Sequence, residues 1–152
     1  MKVVILAGGL GTRISELTKI IPKPMIKIFG KPIIHRIVDH FYSYGFKEFY
    51  IALGYKGEII QKYFQNCKLK KGIKINCIKT GKKTMTGGRI KRLKKYLKSD
   101  FLLTYGDGLS NVNLKKLLDF HQRKKKLVTV TAVRPPARFG TIKIIRDKVK
   151  YF

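Results

Sequence analysis

The sequence has few cysteines and no long apolar run, and these are the features that stabilise small secreted proteins or anchor membrane proteins. Its 152 residues include no tryptophan and only two cysteines, Cys67 and Cys77, without a second pair or flanking histidines. This pattern excludes a disulfide scaffold and a zinc site. No apolar run approaches the roughly 20 residues of a membrane span, and the N-terminus lacks the architecture of a secretory signal. We therefore expect a cytoplasmic protein without membrane segments.

Acidic residues are also scarce, with 8 Asp and Glu against 35 Lys and Arg, so the formal net charge is +27. Such a balance attracts polyanions. The lysines are nevertheless scattered along the chain, and three short basic clusters, at 68–71, 91–95 and 123–126, do not alternate with aromatic residues. Nucleic acid is therefore not the expected partner, and a phosphate-rich small ligand is favoured. A polyanion-binding module remains an alternative.

Apolar runs alternate with amphipathic segments along the chain. Predicted strands are 3–6, 49–53, 73–78, 101–105 and 128–133, followed by a hairpin of 141–145 and 148–152 around Asp147. Predicted helices run from Pro32 to just before Gly45 and over 58–64, 88–97 and 114–125. Strands alternating with helices of this length predict one α/β domain of three layers, built around a mostly parallel sheet.

The strongest motif is a glycine-rich loop directly after the first strand. It consists of Leu6, Ala7, Gly8, Gly9, Leu10, Gly11, Thr12 and Arg13. A Pro22-Lys23-Pro24 segment follows. Glycines let backbone amides approach a phosphate chain, and Arg13 and Lys23 add positive charge, so the loop predicts an anion cradle. It is neither a P-loop, which needs a lysine after its last glycine, nor a dinucleotide fingerprint, which needs glycine where Ile14 stands.

A second segment, TMTGGR at 84–89, opens a basic helix. The amides and the dipole at a helix N-terminus favour an anion or a base edge. Thr86 alone is enough to cap the helix, so capping does not explain the glycine pair and Arg89. The segment therefore predicts a second side of the same binding site.

A third signal is Asp107, which stands between two glycines directly after the strand predicted at 101–105. Ligands bind at the carboxyl ends of strands in open α/β sheets. One carboxylate together with substrate phosphate oxygens suits magnesium. We therefore expect Asp107 to reach a metal ion bound to phosphates.

Together these motifs resemble the sugar-phosphate nucleotidylyltransferases. The loop LAGGLGTR with PKP, the segments TMTGGR and FLLTYGDG, and PPARFG at 135–140 stand in the family's order over essentially the whole chain. The glycine loop is specific to the superfamily, whereas TGGR and PP-x-RFG point to its cytidylyl branch. The resemblance implies a Rossmann-like nucleotidyltransferase fold. It also implies transfer of a cytidylyl group from CTP to glucose 1-phosphate, which gives CDP-glucose and pyrophosphate.

The resemblance implies roles for individual residues as well. The implied nucleotide contacts are residues 6–13, Lys23, Thr84 and Arg89. Asp107 is the implied Mg²⁺ ligand, and Arg13, Lys23 and Asp107 are the implied catalytic residues, which act by alignment and charge. Gly140 lies in the implied sugar-contact region.

Family members continue past the point where this chain stops, through a Glu-Lys-Pro segment, sugar-binding residues and a second metal-site aspartate. The chain also stops at Tyr151-Phe152, within a predicted strand. We therefore expect residues 1–152 to be the N-terminal portion of a truncated nucleotidyltransferase domain, with weak nucleotide binding and little or no turnover. A non-catalytic nucleotide-binding remnant is a further alternative, and homo-oligomerisation is left open.

Overall fold

The computed structural model describes residues 1–9, 20–133, 143–146 and 148–151. The chain divides into two compact units, Met1–Lys115 and Lys116–Phe152. Among the predicted site residues, 10–13 and Gly140 lie outside the described ranges. In the described part of the chain, no helix is both long enough and apolar enough to cross a bilayer.

A four-stranded parallel sheet forms the centre of the first unit. Its strands are β1 (Lys2–Ala7), β4 (Glu48–Leu53), β5 (Lys74–Lys79) and β6 (Phe101–Tyr105). They lie in the order β5-β4-β1-β6. Leu6 of β1 pairs with Ala52 of β4 on one side and with Tyr105 of β6 on the other. The carboxyl ends of these strands therefore lie along one edge of the sheet.

The central strands are buried on both faces, which explains why their sequences are continuous apolar runs. Val4 and Ala52 have no exposed surface and pack with Leu93, which follows the third helix. The alternate residues Ile5 and Ile51 point to the opposite face and are also fully buried.

Three helices belong to this unit: α1 (Ile33–Ser43), α2 (Gly57–Asn66) and α3 (Thr86–Arg92). Helix α1 begins directly after Pro32, whose φ of −56° suits the start of a helix, and Gly45, with φ of +88°, follows its end. Helix α2 packs against β4 and β5. The predicted α/β arrangement is therefore present.

Short elements complete the first unit. A 3₁₀ turn spans Lys23–Met25, and two antiparallel two-residue strands follow, β2 (Lys27–Ile28) and β3 (Lys31–Pro32). A second 3₁₀ turn spans Lys94–Tyr96.

Helix α4 (Leu114–Lys124) begins at the boundary between the units. The second unit also contains an antiparallel hairpin of β7 (Lys143–Ile145) and β8 (Lys148–Tyr151). The predicted terminal hairpin is confirmed, although Asp147 at its turn lies outside the described residues.

Two sequence-based expectations were wrong in detail. The helix predicted over 88–97 begins earlier, at Thr86, and ends at Arg92, because the chain tightens into 3₁₀ geometry where the fully buried Leu93 turns toward the sheet. The strand predicted over 128–133 is not a strand, and Val128 and Val130 are 73% and 80% exposed. Alternating β-branched residues form a strand only where a neighbouring strand satisfies their backbone groups.

Candidate functional site

A pocket of about 250 Å³ lies at the carboxyl ends of the sheet strands, where open α/β folds bind ligands. The residues that line it come from the ends of β1 and β6, the 3₁₀ turn at 23–25 and the start of α3. They are Leu6, Ala7, Gly8, Gly9, Lys23, Pro24, Thr84, Met85, Thr86, Arg89, Tyr105 and Asp107. The pocket thus brings together every predicted nucleotide-site and metal-site residue that the structure describes.

Lys23 and Asp107 meet in this pocket. Lys23 Nζ lies 2.7 Å from Asp107 Oδ2, and each side chain is 35% exposed. The 3₁₀ turn places the lysine, because the Met25 amide donates to the Pro22 carbonyl and Pro24 is buried beside Gly106. The Gly106 amide in turn donates to the Leu6 carbonyl, which fixes the turn that carries Asp107 against the end of β1.

The first two glycines of the loop have different surroundings. Gly8 is buried, and a Cβ on it would overlap Cζ and Nη1 of Arg89. Gly9 is exposed, and nothing lies within 4 Å of the position its Cβ would take. Gly9 therefore offers the unobstructed backbone expected beside a phosphate chain. Position 8 requires glycine because the Arg89 guanidinium occupies the space that a Cβ would take.

The Arg89 side chain is 5% exposed and spans the ends of three strands. Its Nη2 donates to the Gly8 carbonyl at 2.9 Å, directly after β1. Its Nη1 donates to the Leu53 carbonyl at 3.2 Å, at the end of β4, and to Thr80 Oγ1 at 2.7 Å, directly after β5. Further bonds reach the carbonyls of Gly81 and Lys82. The guanidinium is satisfied by neutral acceptors in the protein itself.

Burial, reinforced by the charge of Arg92, lowers the pKa of Arg89 from its ordinary value. An arginine nevertheless stays protonated in proteins, so this group is a buried cation. No carboxylate pairs with it in the ion pairs of the described residues. A cation that lines a pocket without a balancing carboxylate favours an anionic ligand.

Thr84 lies in the short connection between β5 and α3. A Cβ on Gly88 would lie 2.9 Å from Thr84 Cγ2, and a Cβ on Gly81 would lie 2.7 Å from Thr84 Oγ1. Glycines on both sides therefore allow the threonine to fold back against its own helix. Met85, next to it, is 81% exposed at the pocket.

Sequence reasoning missed some residues that shape the site. Thr80 is fully buried, and its hydroxyl and amide both donate to the Leu53 carbonyl, at 2.7 and 2.9 Å. Gly54 leaves no room for a side chain, since its Cβ would lie 2.6 Å from Gly8 Cα and 2.7 Å from Arg89 Nη1. The one available signal was position, because Gly54 follows directly after the strand predicted at 49–53 and Thr80 stands two residues after the end of the strand predicted at 73–78.

The metal chemistry of the site rests on one carboxylate. The described residues contain no group of three or more His, Cys, Asp or Glu side chains that could hold a metal ion by themselves. Asp107, one-third exposed in the pocket, fits the smaller requirement of Mg²⁺, which uses one or two carboxylates together with phosphate oxygens and water. The residues present therefore fit a magnesium ion that arrives with a nucleotide.

A parallel α/β sheet with an anion-favouring pocket at its carboxyl edge is typical of nucleotide-binding proteins. The family profile for nucleotidyl transferases matches residues 2–152, and the chain belongs to this family. Glucose-1-phosphate cytidylyltransferase from Salmonella typhimurium is 42% identical over 174 residues, which cover 100% of this chain and 68% of that protein. The predicted family and enzyme class are confirmed.

Other relatives differ in nucleotide and sugar. The D-glycero-alpha-D-manno-heptose 1-phosphate guanylyltransferase from Campylobacter jejuni is 35% identical over 144 residues, or 95% of this chain and 63% of that protein. The crystal structure of HddC from Yersinia pseudotuberculosis, complexed with GMP-PN, superposes with a TM-score of 0.67 at 33% identity. That match covers 79% of this chain and 53% of HddC. The predicted fold class is confirmed as well.

Proposed function

We propose that the chain binds CTP with Mg²⁺ and takes part in cytidylyl transfer to glucose 1-phosphate. The observation that carries the proposal is the Lys23–Asp107 pair, 2.7 Å apart in the pocket that Gly8, Gly9 and the buried Arg89 also line. The choice of CTP and glucose 1-phosphate is supported by the identity of 42% to the Salmonella cytidylyltransferase. The chain spans 68% of that relative's length, so the activity of the whole enzyme is part of the proposal.

In the proposed reaction, a phosphate oxygen of glucose 1-phosphate attacks the α-phosphorus of CTP. The bond between that phosphorus and the oxygen bridging to the β-phosphate breaks, and pyrophosphate leaves with the bond's electron pair. The attacking phosphate is already ionised at neutral pH, so the protein needs no nucleophile or general base. Its contribution is alignment and neutralisation of charge.

The residues of this chain divide that work. Lys23 neutralises phosphate charge, and Arg13 is proposed to do the same from the part of the loop outside the described residues. Gly9 offers unobstructed backbone to the phosphates. Asp107 would hold Mg²⁺, which supplies charge stabilisation on the phosphate oxygens when bound. Thr84 is proposed to contact the nucleotide from the start of α3.

Without nucleotide, Lys23 and Asp107 satisfy one another. Both side chains are 35% exposed, and an ion pair in such a position contributes only about 0–1 kcal/mol. A nucleotide that brings phosphate to the lysine and a cation to the carboxylate therefore replaces one weak pair with two stronger ones. The ion pair therefore holds both side chains in the pocket and is weak enough for a nucleotide to replace it.

Calorimetric titration with CTP, in the presence and absence of Mg²⁺, tests the binding part of this proposal. We expect binding that requires Mg²⁺ and Asp107. A coupled pyrophosphate assay with CTP, glucose 1-phosphate and Mg²⁺ tests the transfer part. We predict that turnover by residues 1–152, which span 68% of the Salmonella relative, is slow or undetectable, and robust turnover would contradict this prediction.

The two alternatives give different results in the same experiments. A non-catalytic remnant binds CTP and releases no pyrophosphate. A polyanion-binding module binds DNA with steep salt dependence that survives Arg13→Ala and Asp107→Ala, and its binding of CTP requires neither Mg²⁺ nor Asp107. The cytoplasmic location stays a prediction, and homo-oligomerisation is left open.

A further inference from the structure

We propose that Arg89 is a positioning residue, which orients the peptide between Gly8 and Gly9 without contacting the nucleotide itself. The inference rests on the proposed function, since it concerns the loop that would receive the phosphates. It replaces the direct nucleotide contact expected from the sequence with an indirect role.

The first observation is where the guanidinium donates. One planar group bonds the Gly8 carbonyl after β1, the Leu53 carbonyl in β4 and the Thr80 hydroxyl after β5, at 2.9, 3.2 and 2.7 Å. These three strands are neighbours in the sheet. Arg89 therefore fixes the start of the glycine loop relative to the ends of the two adjoining strands.

The second observation is the space made for the guanidinium. Two glycines, Gly8 and Gly54, surround it, and a Cβ on either would collide with Arg89. Neither is among the described glycines with positive φ, so a left-handed backbone is not the reason for glycine there. At Gly8 the need for glycine comes from the arginine, whereas a Cβ on Gly54 would collide with the Gly8 backbone, at 2.6 Å, as well as with Arg89.

The consequence for the loop follows from peptide geometry. A trans peptide is planar, and its C=O and N–H point in opposite directions. Because the Gly8 carbonyl points to Arg89, the amide of Gly9 in the same peptide points away from Arg89. Gly9 is exposed and lines the pocket, so this amide lies where it can donate to a ligand.

Lysine cannot reproduce the arrangement. A guanidinium presents its donors in a rigid plane, whereas an ammonium is a compact group with three donors on a flexible chain. Arg89→Lys keeps the positive charge and loses the planar fork. The substitution therefore separates the positioning role from a purely electrostatic one.

The experiment compares Arg89→Lys with Arg92→Lys in the full chain. Arg92 lies on the same helix, is exposed, and donates to the Thr80 carbonyl instead. We expect Arg89→Lys to shift the NMR amide signal of Gly9 without any nucleotide and to weaken CTP binding by on the order of tenfold or more. Arg92→Lys should leave both unchanged. An unmoved Gly9 amide in Arg89→Lys would overturn the inference.

A second comparison covers the case in which Arg89→Lys does not fold. Gly8→Ala places a methyl group against the guanidinium and should displace the Arg89 Nε–H signal together with the Gly9 amide. In an Arg89→Met background the methyl group has room, so adding Gly8→Ala should cause little further loss of CTP affinity. Additive losses would contradict the inference.

Failure of the unmodified chain to bind CTP would remove the proposed function, while the Gly9 amide would still decide the role of Arg89.

Discussion

At the scale of single residues, the site is defined by a few close contacts between groups far apart in sequence. Lys23 and Asp107 form an ion pair at 2.7 Å, and Arg89 reaches Gly8 at 2.9 Å. The sequence motifs identified these residues as candidates. The contacts explain the residue type at each position. Lys23 and Asp107 are a cation and a carboxylate that can exchange each other for groups of a ligand, and Gly8 leaves room for Arg89.

Asp107→Asn tests the metal role of the carboxylate. The amide is similar in shape and has no charge, so we expect CTP affinity to lose its dependence on Mg²⁺ and to fall on the order of a hundredfold in the presence of Mg²⁺. Calorimetric titration measures both effects. The control is Asp100→Asn, an exposed position before the opposite end of β6, which should change neither quantity. Retained Mg²⁺ dependence in Asp107→Asn would rule out this carboxylate as the metal ligand.

Gly8→Ala and Gly9→Ala test the different surroundings of the two glycines. The first places a methyl group inside the guanidinium and should lower the free energy of unfolding by about 1–3 kcal/mol. The second meets open space and should change it by no more than about 0.5 kcal/mol. Urea denaturation measures both. Equal destabilisation by the two substitutions would contradict the packing described here.

At the scale of secondary-structure elements, the buried strands were the most predictable part. The strands predicted at 3–6 and 49–53 lie within β1 and β4, whose residues after the first are all buried, because a strand buried within a sheet carries a strong hydrophobic signal. The strand predicted at 101–105 has the expected bounds as well, although it lies at the edge of the four-stranded sheet and none of its five residues is buried. Exposed or tightly turning segments were less predictable. Helix α3 ends three residues after Arg89, and the segment 128–133 is not a strand.

The candidate site could be predicted as a set of residues but not as a set of contacts. The glycine loop, Lys23 and Asp107 follow local motifs, and they come together as expected. The acceptors of Arg89 lie up to 81 positions away along the chain, and their arrangement depends on strand order and register. A single sequence contains no local signal for such contacts.

The helix pair α1 and α2 makes stability depend on pH through His35. This buried side chain lies in α1, and its Nδ1 is 2.6 Å from the hydroxyl of Tyr63 in α2. Burial lowers the pKa of His35, nearby lysine and arginine side chains add to the effect, and Asp39 opposes it. Between the folded and the unfolded pKa values the unfolded chain therefore binds more protons.

The expected result is that the contribution of His35 is fully present above the unfolded pKa of about 6.5 and is lost as the pH falls through the folded value. Urea denaturation at a series of pH values between about 7 and 5 measures it. His35→Gln should flatten this part of the profile. An unchanged slope in the variant would contradict the assignment to His35.

At the scale of the whole molecule, non-specific binding caused by the net charge of +27 has to be distinguished from binding at the specific site. So high a charge produces non-specific attraction to any polyanion. We expect DNA binding whose logarithmic affinity falls linearly with the logarithm of salt concentration, and we expect it to be unaffected by Asp107→Asn. Fluorescence anisotropy with labelled DNA measures this. A loss of DNA binding in Asp107→Asn would indicate that the pocket itself serves nucleic acid.

The central claim is that nucleotide phosphates bind between the glycine loop, Lys23 and Asp107. Titration of the isotopically labelled chain with CTP and Mg²⁺, followed by NMR, tests it most directly. We predict that the amide signals of Gly8, Gly9, Lys23 and Asp107 shift together as the site fills. Signals that stay in place at these four positions, while the basic surface elsewhere responds, would contradict it.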